Sequence, residues 1–426
     1  MRNLTLTAIA AITTLAFSTA AMAEKIAIIG GKVHTMSVQG TLDEATVLIE
    51  DGRITKIIPQ TVSTDESYRV IDAKGKVVTP GFIGAFTSLG LMEVPSWSGT
   101  NDATVEDSNL NAALDASHAI NPETSLKNIT RIEGFTSVAT SLSYTGSMFK
   151  GRGAIITLGD YDKPLIKKRA FMSMDLSNSG ADANGGSRAA MWINLRKAFN
   201  EAIYAAPLDI NPQTEWHGTV NIENIKALIP VVKGEQPLLI KTHRAADIRH
   251  ILYMMENFKR LNVTLVGASE AWLVADELAA AGVAVILNPE SNLPYGFEEN
   301  AATLANAARL NAAGVDVAIG INTHNIRLAP QHAGNAVANG LPWEAGLAAL
   351  TTIPAKIYGI DSYYGSLKPG MVADVVVWSG DPLEVMHAPD HVIINGDEIP
   401  LESRQTKLRD RYLVIDNEKP QQYTRP

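Results

Sequence analysis

"PLLIKTHRAADIRHILYMMENFKRLNVTLVGASEAWLVADELAAAGVAVIL" occupies Pro237 to Leu287, and its rhythm decides the fold. Residues 238–242 form a short apolar run of strand length. From 245 to 262 the period changes, and Ile248, Ile251, Leu252 and Met255 fall on one face of a helix. Residues 263–266 make a second apolar run, Ser269 stands where a cap would open the next helix, and Gly282 ends that helix. Residues 283–287 give a third strand. An alanine-rich helix over 301–313 and a strand over 315–319 continue the alternation. Strands that are apolar throughout are buried on both faces, and their alternation with helices predicts a parallel β/α barrel.

Outward from this stretch the pattern becomes β. Residues 26–29, 33–36, 46–50 and 53–58 read as strands, and Asp51-Gly52 between the last two is a two-residue hairpin turn. Beyond the barrel, Leu367-Lys368-Pro369-Gly370 is a turn, 373–378 a strand, and 392–398 carries an Asn395-Gly396 turn. The two flanks are expected to pair. The chain then divides into a composite β-sandwich domain (24–78 plus 366–415), an α/β, (β/α)8 TIM-like barrel of metal-dependent-hydrolase type (79–365), and a loose tail (416–426).

Arg2, the apolar and threonine-flecked residues 4–17, and the small-x-small site Ala21-Met22-Ala23 make residues 1–23 a secretory signal peptide. The mature chain is expected in a bacterial periplasm. No later segment has the uninterrupted apolar length of a membrane span. The formal charge of −9, or −10 without Arg2, argues against nucleic acid as a partner. The chain has no cysteine, which excludes disulfides, a thiol nucleophile and a cysteine zinc site.

The entry into the barrel reads "TPGFIGAFTSLGL", Thr79 to Leu91. Gly84, Phe86 and Ser88 alternate at strand spacing, on the side where a catalytic barrel would carry its first metal-binding groups. None of the three is a ligand of the usual kind.

Five stretches resemble the amidohydrolase superfamily, near its imidazolonepropionase-like and prolidase-like branch. They are "KVVTPGFI", "GSRAAMWINLRKAFNEA", "KTHRAADI", "AGNAVANGLPWEAGLAAL" and the exit "LTTIPAKIYGIDSYYGSLKPGMVADVVVWSGDPLE" from Leu350 to Glu384. The resemblance implies one or two divalent metals, usually zinc, that activate water and polarise an amide carbonyl. It also implies ligands from a His-x-His on strand one, a Lys or Glu on strand four, histidines on strands five and six, and an Asp on strand eight. Carried over residue by residue, the strand-one pair falls on Phe86 and Ser88, with Gly84 where an Asp usually precedes it. The strand-four acid falls near Asp175 or Leu176. His243 matches the strand-five histidine, Gly267 or Ala268 takes the strand-six position, and Asn322 takes the place of the strand-eight base. Only His243 survives as a metal ligand.

A replacement site would draw on groups at the C-terminal mouth of the barrel. Arg244, His324 and Asn325 are the candidates for binding substrate, and Asn322, His324 and Glu270 the candidates for catalysis, with His118 near the early strands. The plainer expectation is that His243 and His324 bond backbone, that Glu270 serves a helix first turn, and that Asn322 caps a turn. The remaining histidines, His34 and His332 among them, read as surface or helix-face residues. No Gly-x-Ser-x-Gly elbow or phosphate loop offers another chemistry.

Two functions are therefore expected to compete. One is an exported hydrolase of C–N bonds in amides or dipeptide-like molecules, with a degenerate site and either no metal or a weakly bound single divalent ion. The other is a non-catalytic protein that binds a small amide or peptide-like ligand, or pairs with an intact amidohydrolase paralogue or a second copy of itself.

Overall fold

The computed structural model describes residues 24–413 except 95, 96, 212 and 323, with Asn322 described in its backbone only. The expected signal peptide and the tail 416–426 lie outside the described residues, as does the side chain of Asn322.

The chain opens with β1 (Lys25–His34), β2 (Thr41–Glu50), β3 (Arg53–Ile58), β4 (Tyr68–Asp72) and β5 (Val77–Pro80). The two short runs expected over 26–36 are one strand, β1, which bulges near Gly31 to stay paired with β2. Asp51 and Gly52 both have positive φ, at 51° and 72°, as a type I′ hairpin between β2 and β3 requires.

Eight strands then form the barrel. They are β6 (Phe82–Thr87), β7 (Phe135–Thr140), β8 (Phe149–Thr157), β9 (Leu165–Asp175), β10 (Leu238–Thr242), β11 (Val263–Gly267), β12 (Ala284–Leu287) and a last one interrupted at Gly320. The two halves of that last strand are β13 (Val317–Ile319), which pairs with β12, and β14 (Ile321–Asn322), which pairs with β6. The ring is thereby nearly closed. Beyond it, β15 (Val375–Trp378), β16 (Pro389–Ile394) and β17 (Asp397–Ile399) return to the first sheet, where β15 lies against β5. That sheet has the order β17-β16-β15-β5-β1-β2-β3, with β4 also beside β1. Its core includes Ile26, Ile28, Val47, Ile49, Val375, Val377 and Ile393.

One barrel strand departs from the parallel expectation. β8 runs antiparallel to both β7 and β9. The reason lies in the connections: a parallel neighbour needs a crossover of roughly a dozen residues or more, and the links on either side of β8 are too short for one. From β9 onward the strands are parallel. Helices Arg188–Ala205, Ile222–Val232, Ala245–Asn257, Ala275–Ala281, Asn306–Ala312 and Ala329–Ala338 belong to the outer layer. The helix expected over 245–262 stops at Asn257, and the one expected over 301–313 begins only at Asn306.

The interior of the barrel holds Ile83, Ala85, Ala139, Ile155, Phe171, Leu239, Val266, Ile286 and Ala318, closed by Tyr358. Three aromatic rings form a column within it. Tyr358 and Phe171 have centroids 5.1 Å apart, and Phe171 and Phe86 6.3 Å. The Tyr358 hydroxyl donates to the carbonyl of Ala85. Gly153 on β8 makes room for this column, since a Cβ there would stand 2.0 Å from the Phe171 ring.

Candidate functional site

At the C-terminal ends of the strands the barrel opens into a cavity of about 380 Å³, a volume suited to a small molecule. Phe86, Val266, Ile321 and Tyr295 give it apolar wall, while Lys241, His243, Ser269 and Glu299 bring the polar groups. Strand parity explains the two residues from β10. Leu239 packs in the interior, so Lys241 and His243, two and four residues on, face the same way and emerge at the mouth.

His243 is held from one side. Its Nδ1 lies 2.9 Å from the Ser269 hydroxyl, which donates to Glu299 Oε2 at 3.0 Å. With its proton on Glu299, the Ser269 oxygen accepts from Nδ1–H, so the neutral ring carries its lone pair at Nε2. Burial keeps the ring below its ordinary imidazole range, against the pull of Glu299. Ser269 is thus not the helix cap that the sequence suggested. Its hydroxyl is committed to this relay, and the helix after it opens with a 3-10 turn, Ala271–Val274, that has no side-chain cap.

The positions onto which the resemblance carries the metal ligands hold other chemistry. Phe86 caps the aromatic column. The Ser88 hydroxyl donates to the carbonyl of Ser141 at 2.8 Å in a buried setting. Gly84 does not share the face of its neighbours: a Cβ there would meet Val138 and Ile326, away from the interior that takes Ile83 and Ala85. The alternation expected from Gly84 to Ser88 is broken by a register shift between Gly84 and Thr87. Gly267 has φ +86°, and a Cβ on it would stand 2.8 Å from His243 Cε1, so the imidazole uses the space that a strand-six side chain would need. Asp175 ends β9, where Oδ1 accepts from the backbone N–H of Ser177 at 2.9 Å and from its hydroxyl, and Oδ2 lies 3.6 Å from Lys241 Nζ. Asn322 cannot be placed beyond its backbone.

These residues do not fit a divalent metal. A single histidine with one free ring nitrogen, one aspartate facing an ammonium group, and a phenyl ring make no coordination shell. Among the described residues, no group of three or more His, Asp or Glu side chains stands together as a metal site would require.

The other candidates from the sequence are placed outside the cavity lining. Arg244 Nε and Nη2 each donate to Asp247 at 2.8 Å, and the buried Asp247 also accepts from Arg188 at 3.0 Å. Glu270 accepts from the backbone N–H of Ala245 at 3.0 Å and of Ala301 at 3.1 Å, tying two loops together. His324 Nε2 and the Asn325 amide lie 3.0 Å apart. His118 is exposed near Asp115. His34 and His332 are buried, His34 against Trp343 and His332 beside Glu290 at 3.3 Å. The structure brings together His243 with three groups that sequence reasoning missed: Lys241, Ser269 and Glu299. Lys241 had a legible signal, a lysine two residues before a mouth histidine on one strand. The other two depend on how the loops close.

Residues 234–399 match the sequence model of the amidohydrolase family. The amidohydrolase tasK of Hapsidospora irregularis is 23% identical over 399 residues, covering 82% of this chain and 39% of that protein. The chain thus spans 39% of the length of the curated relative it matches. An amidohydrolase from Thermotoga maritima MSB8 superimposes with a TM-score of 0.77 at 23% identity, over 88% of this chain and 99% of that one. Molinate hydrolase gives 0.55 at 18% identity, over 95% and 99%. A prolidase complexed with N-methylphosphonate-L-proline gives 0.53 at 15%, over 88% and 99%. At such identities the structural likeness shows fold alone. Barrel and sheet define an amidohydrolase-type architecture. Over residues 234–399 the chain is similar in sequence to the amidohydrolase family, and it shares the fold of the solved amidohydrolases named above.

Proposed function

We propose that this chain is an exported, periplasmic amidohydrolase-fold protein that holds a small amide- or peptide-like molecule in its barrel mouth without a divalent metal. One observation supports this: where the resemblance expects ligands, Phe86 stands on the aromatic column and the His243 ring is seated against Gly267. A residue simply lost from a site leaves a gap; here the neighbours have taken the volume. The cavity beside them stays open and mixes apolar wall with polar groups, as small-molecule sites do. Export is supported by the signal-like residues 1–23.

A second function, hydrolysis of a C–N bond, is supported by His243. Its Nε2 is the free acceptor of a ring oriented by Ser269 and Glu299, which is what a general base needs. Elemental analysis of the protein purified from Glu24 onward, with a thermal-shift and turnover screen of dipeptides, hydantoins and N-acyl amino acids, separates the cases. The expected result is well under one equivalent of zinc, manganese or iron, and a raised melting temperature with at least one compound. A tight stoichiometric metal would overturn the metal-free site. Release of amine from any compound would establish hydrolysis.

A further inference from the structure

The cavity's charges are unevenly distributed. Lys241 Nζ has, among the described residues, one charged partner, Asp175 Oδ2, and at 3.6 Å that contact is longer than a hydrogen bond. About half of the Lys241 side chain remains open to the mouth (47% exposed). The same Asp175 also acts electrostatically on Lys150, a buried lysine of β8. Lys150 Nζ donates to the carbonyls of Ser147 at 2.9 Å and Thr145 at 3.3 Å, so its own donors are largely used within its loop. Two ammonium groups therefore face one carboxylate at the β8–β10 side of the mouth, and the exposed one is Lys241.

Further round the ring the balance reverses. Glu299 is occupied by Ser269 and lies 3.7 Å from a histidine that burial keeps neutral. Phe86, Val266, Ile321 and Tyr295 line the same cavity as these groups. The mouth thus offers a fixed positive charge with unused donors next to apolar wall. In a family frame this is where a metal would supply the positive charge. Here a side chain supplies it.

We infer that Lys241 is the anion anchor of this mouth, and that the ligand is a carboxylate with an apolar group beside it. This rests on the ligand-holding function proposed above and adds the ligand's charge and the residue that reads it. An ammonium has three donors, and a carboxylate arriving at Lys241 completes the set that Asp175 leaves open. The apolar part of the ligand covers the Phe86–Val266 wall and removes water from the pair, which strengthens it.

Hippurate and hippuramide test the inference, because they share a benzoyl-glycine body and differ in carrying a carboxylate or a neutral amide. Calorimetric titration of the full mature protein is expected to show hippurate binding roughly tenfold or more tighter than hippuramide, the margin of one charge-assisted hydrogen bond. Lys241→Gln should abolish that preference and Lys241→Arg should retain it, with circular dichroism and the unliganded melting transition reporting that both variants fold. Equal binding of the two compounds, or a preference that survives Lys241→Gln, would overturn the role of Lys241. Silence of both probes also overturns the carboxylate anchor, whereas the wider ligand-holding function falls only if every dipeptide, hydantoin and N-acyl amino acid is silent as well.

Discussion

The two ends of the barrel interior obey different rules. At the floor, Tyr358, Phe171, Ile83, Leu239, Ile286 and Ala318 pack as an apolar plug. At the mouth, one layer higher on the same strands, stand Lys241 and His243, with Ser269 and Glu299 from the loops. Packing explains the floor completely: close-packed rings and aliphatic chains are what eight converging strands demand. Packing explains nothing about a half-exposed lysine beside a histidine on a hydrogen-bonded relay.

Phe171→Ala should show the largest effect. It removes the middle ring of the column, which contacts both Tyr358 and Phe86, and leaves a cavity under a site that cannot collapse because the strands are fixed. Denaturant unfolding is expected to show a loss of about 3–5 kcal/mol. A loss below about 1 kcal/mol would mean that the column is not what holds the interior. Lys241→Gln, by contrast, should leave unliganded stability nearly unchanged, since its one charged contact among the described residues is long and partly solvated.

How much of this could be read in the sequence follows the same division. The strands from β10 onward are legible because β10, β11 and β12 are short, mostly apolar runs punctuated by Gly282 and by helical periods. β8 is not, because an antiparallel strand inside a β/α barrel leaves no periodic trace, only short links. His243 is reached through the resemblance, as the match to the family's strand-five histidine. Ser269 and Glu299 are not, since 30 residues separate them and only the closed loop brings them to 3.0 Å. Arg244 reads as available in sequence, yet its i, i+3 neighbour Asp247 holds the Nε–Nη2 edge of the guanidinium. The chemistry of individual residues was readable; which of them had spent their hydrogen bonds was not.

Floor and mouth should also separate by pH. Asp374 is buried at the floor side, beneath the join with the sheet domain, where its Oδ1 accepts from the Asn395 N–H at 2.8 Å. Burial pushes its carboxyl from about 3.8 to about 6, against the hydrogen bonds from Asn395 and Thr136. An acid raised in the folded state takes up a proton on folding, so stability rises as pH falls through about 6 toward 4. The lowered His243 acts in the opposite sense and loses stability as pH falls below the ordinary histidine range. The difference between the parent and Asp374→Asn isolates the floor: the parent should gain about 2–3 kcal/mol relative to the variant between pH 7 and pH 4. A difference that is flat with pH would show that Asp374 titrates as an ordinary carboxylate.

Gly267→Ala should have a smaller effect on stability than the floor substitutions and the most telling effect on the site. The residue sits at φ +86°, where an L side chain is strained, and the added methyl would lie 2.8 Å from His243 Cε1. The backbone there is committed, because the next residue, Ala268, also has positive φ (43°) and donates to the Thr242 carbonyl at 2.7 Å. Relief must therefore come from the imidazole, which can yield only by lengthening its bond to Ser269. A loss of about 1–2 kcal/mol is expected, less than for the floor ring. The histidine ring resonances should shift at His243 alone, as its hydrogen bond weakens. A neutral Gly267→Ala with an unmoved ring would mean that His243 does not need this glycine, and that the missing strand-six ligand is a vacancy rather than a space reassigned to the neighbouring histidine.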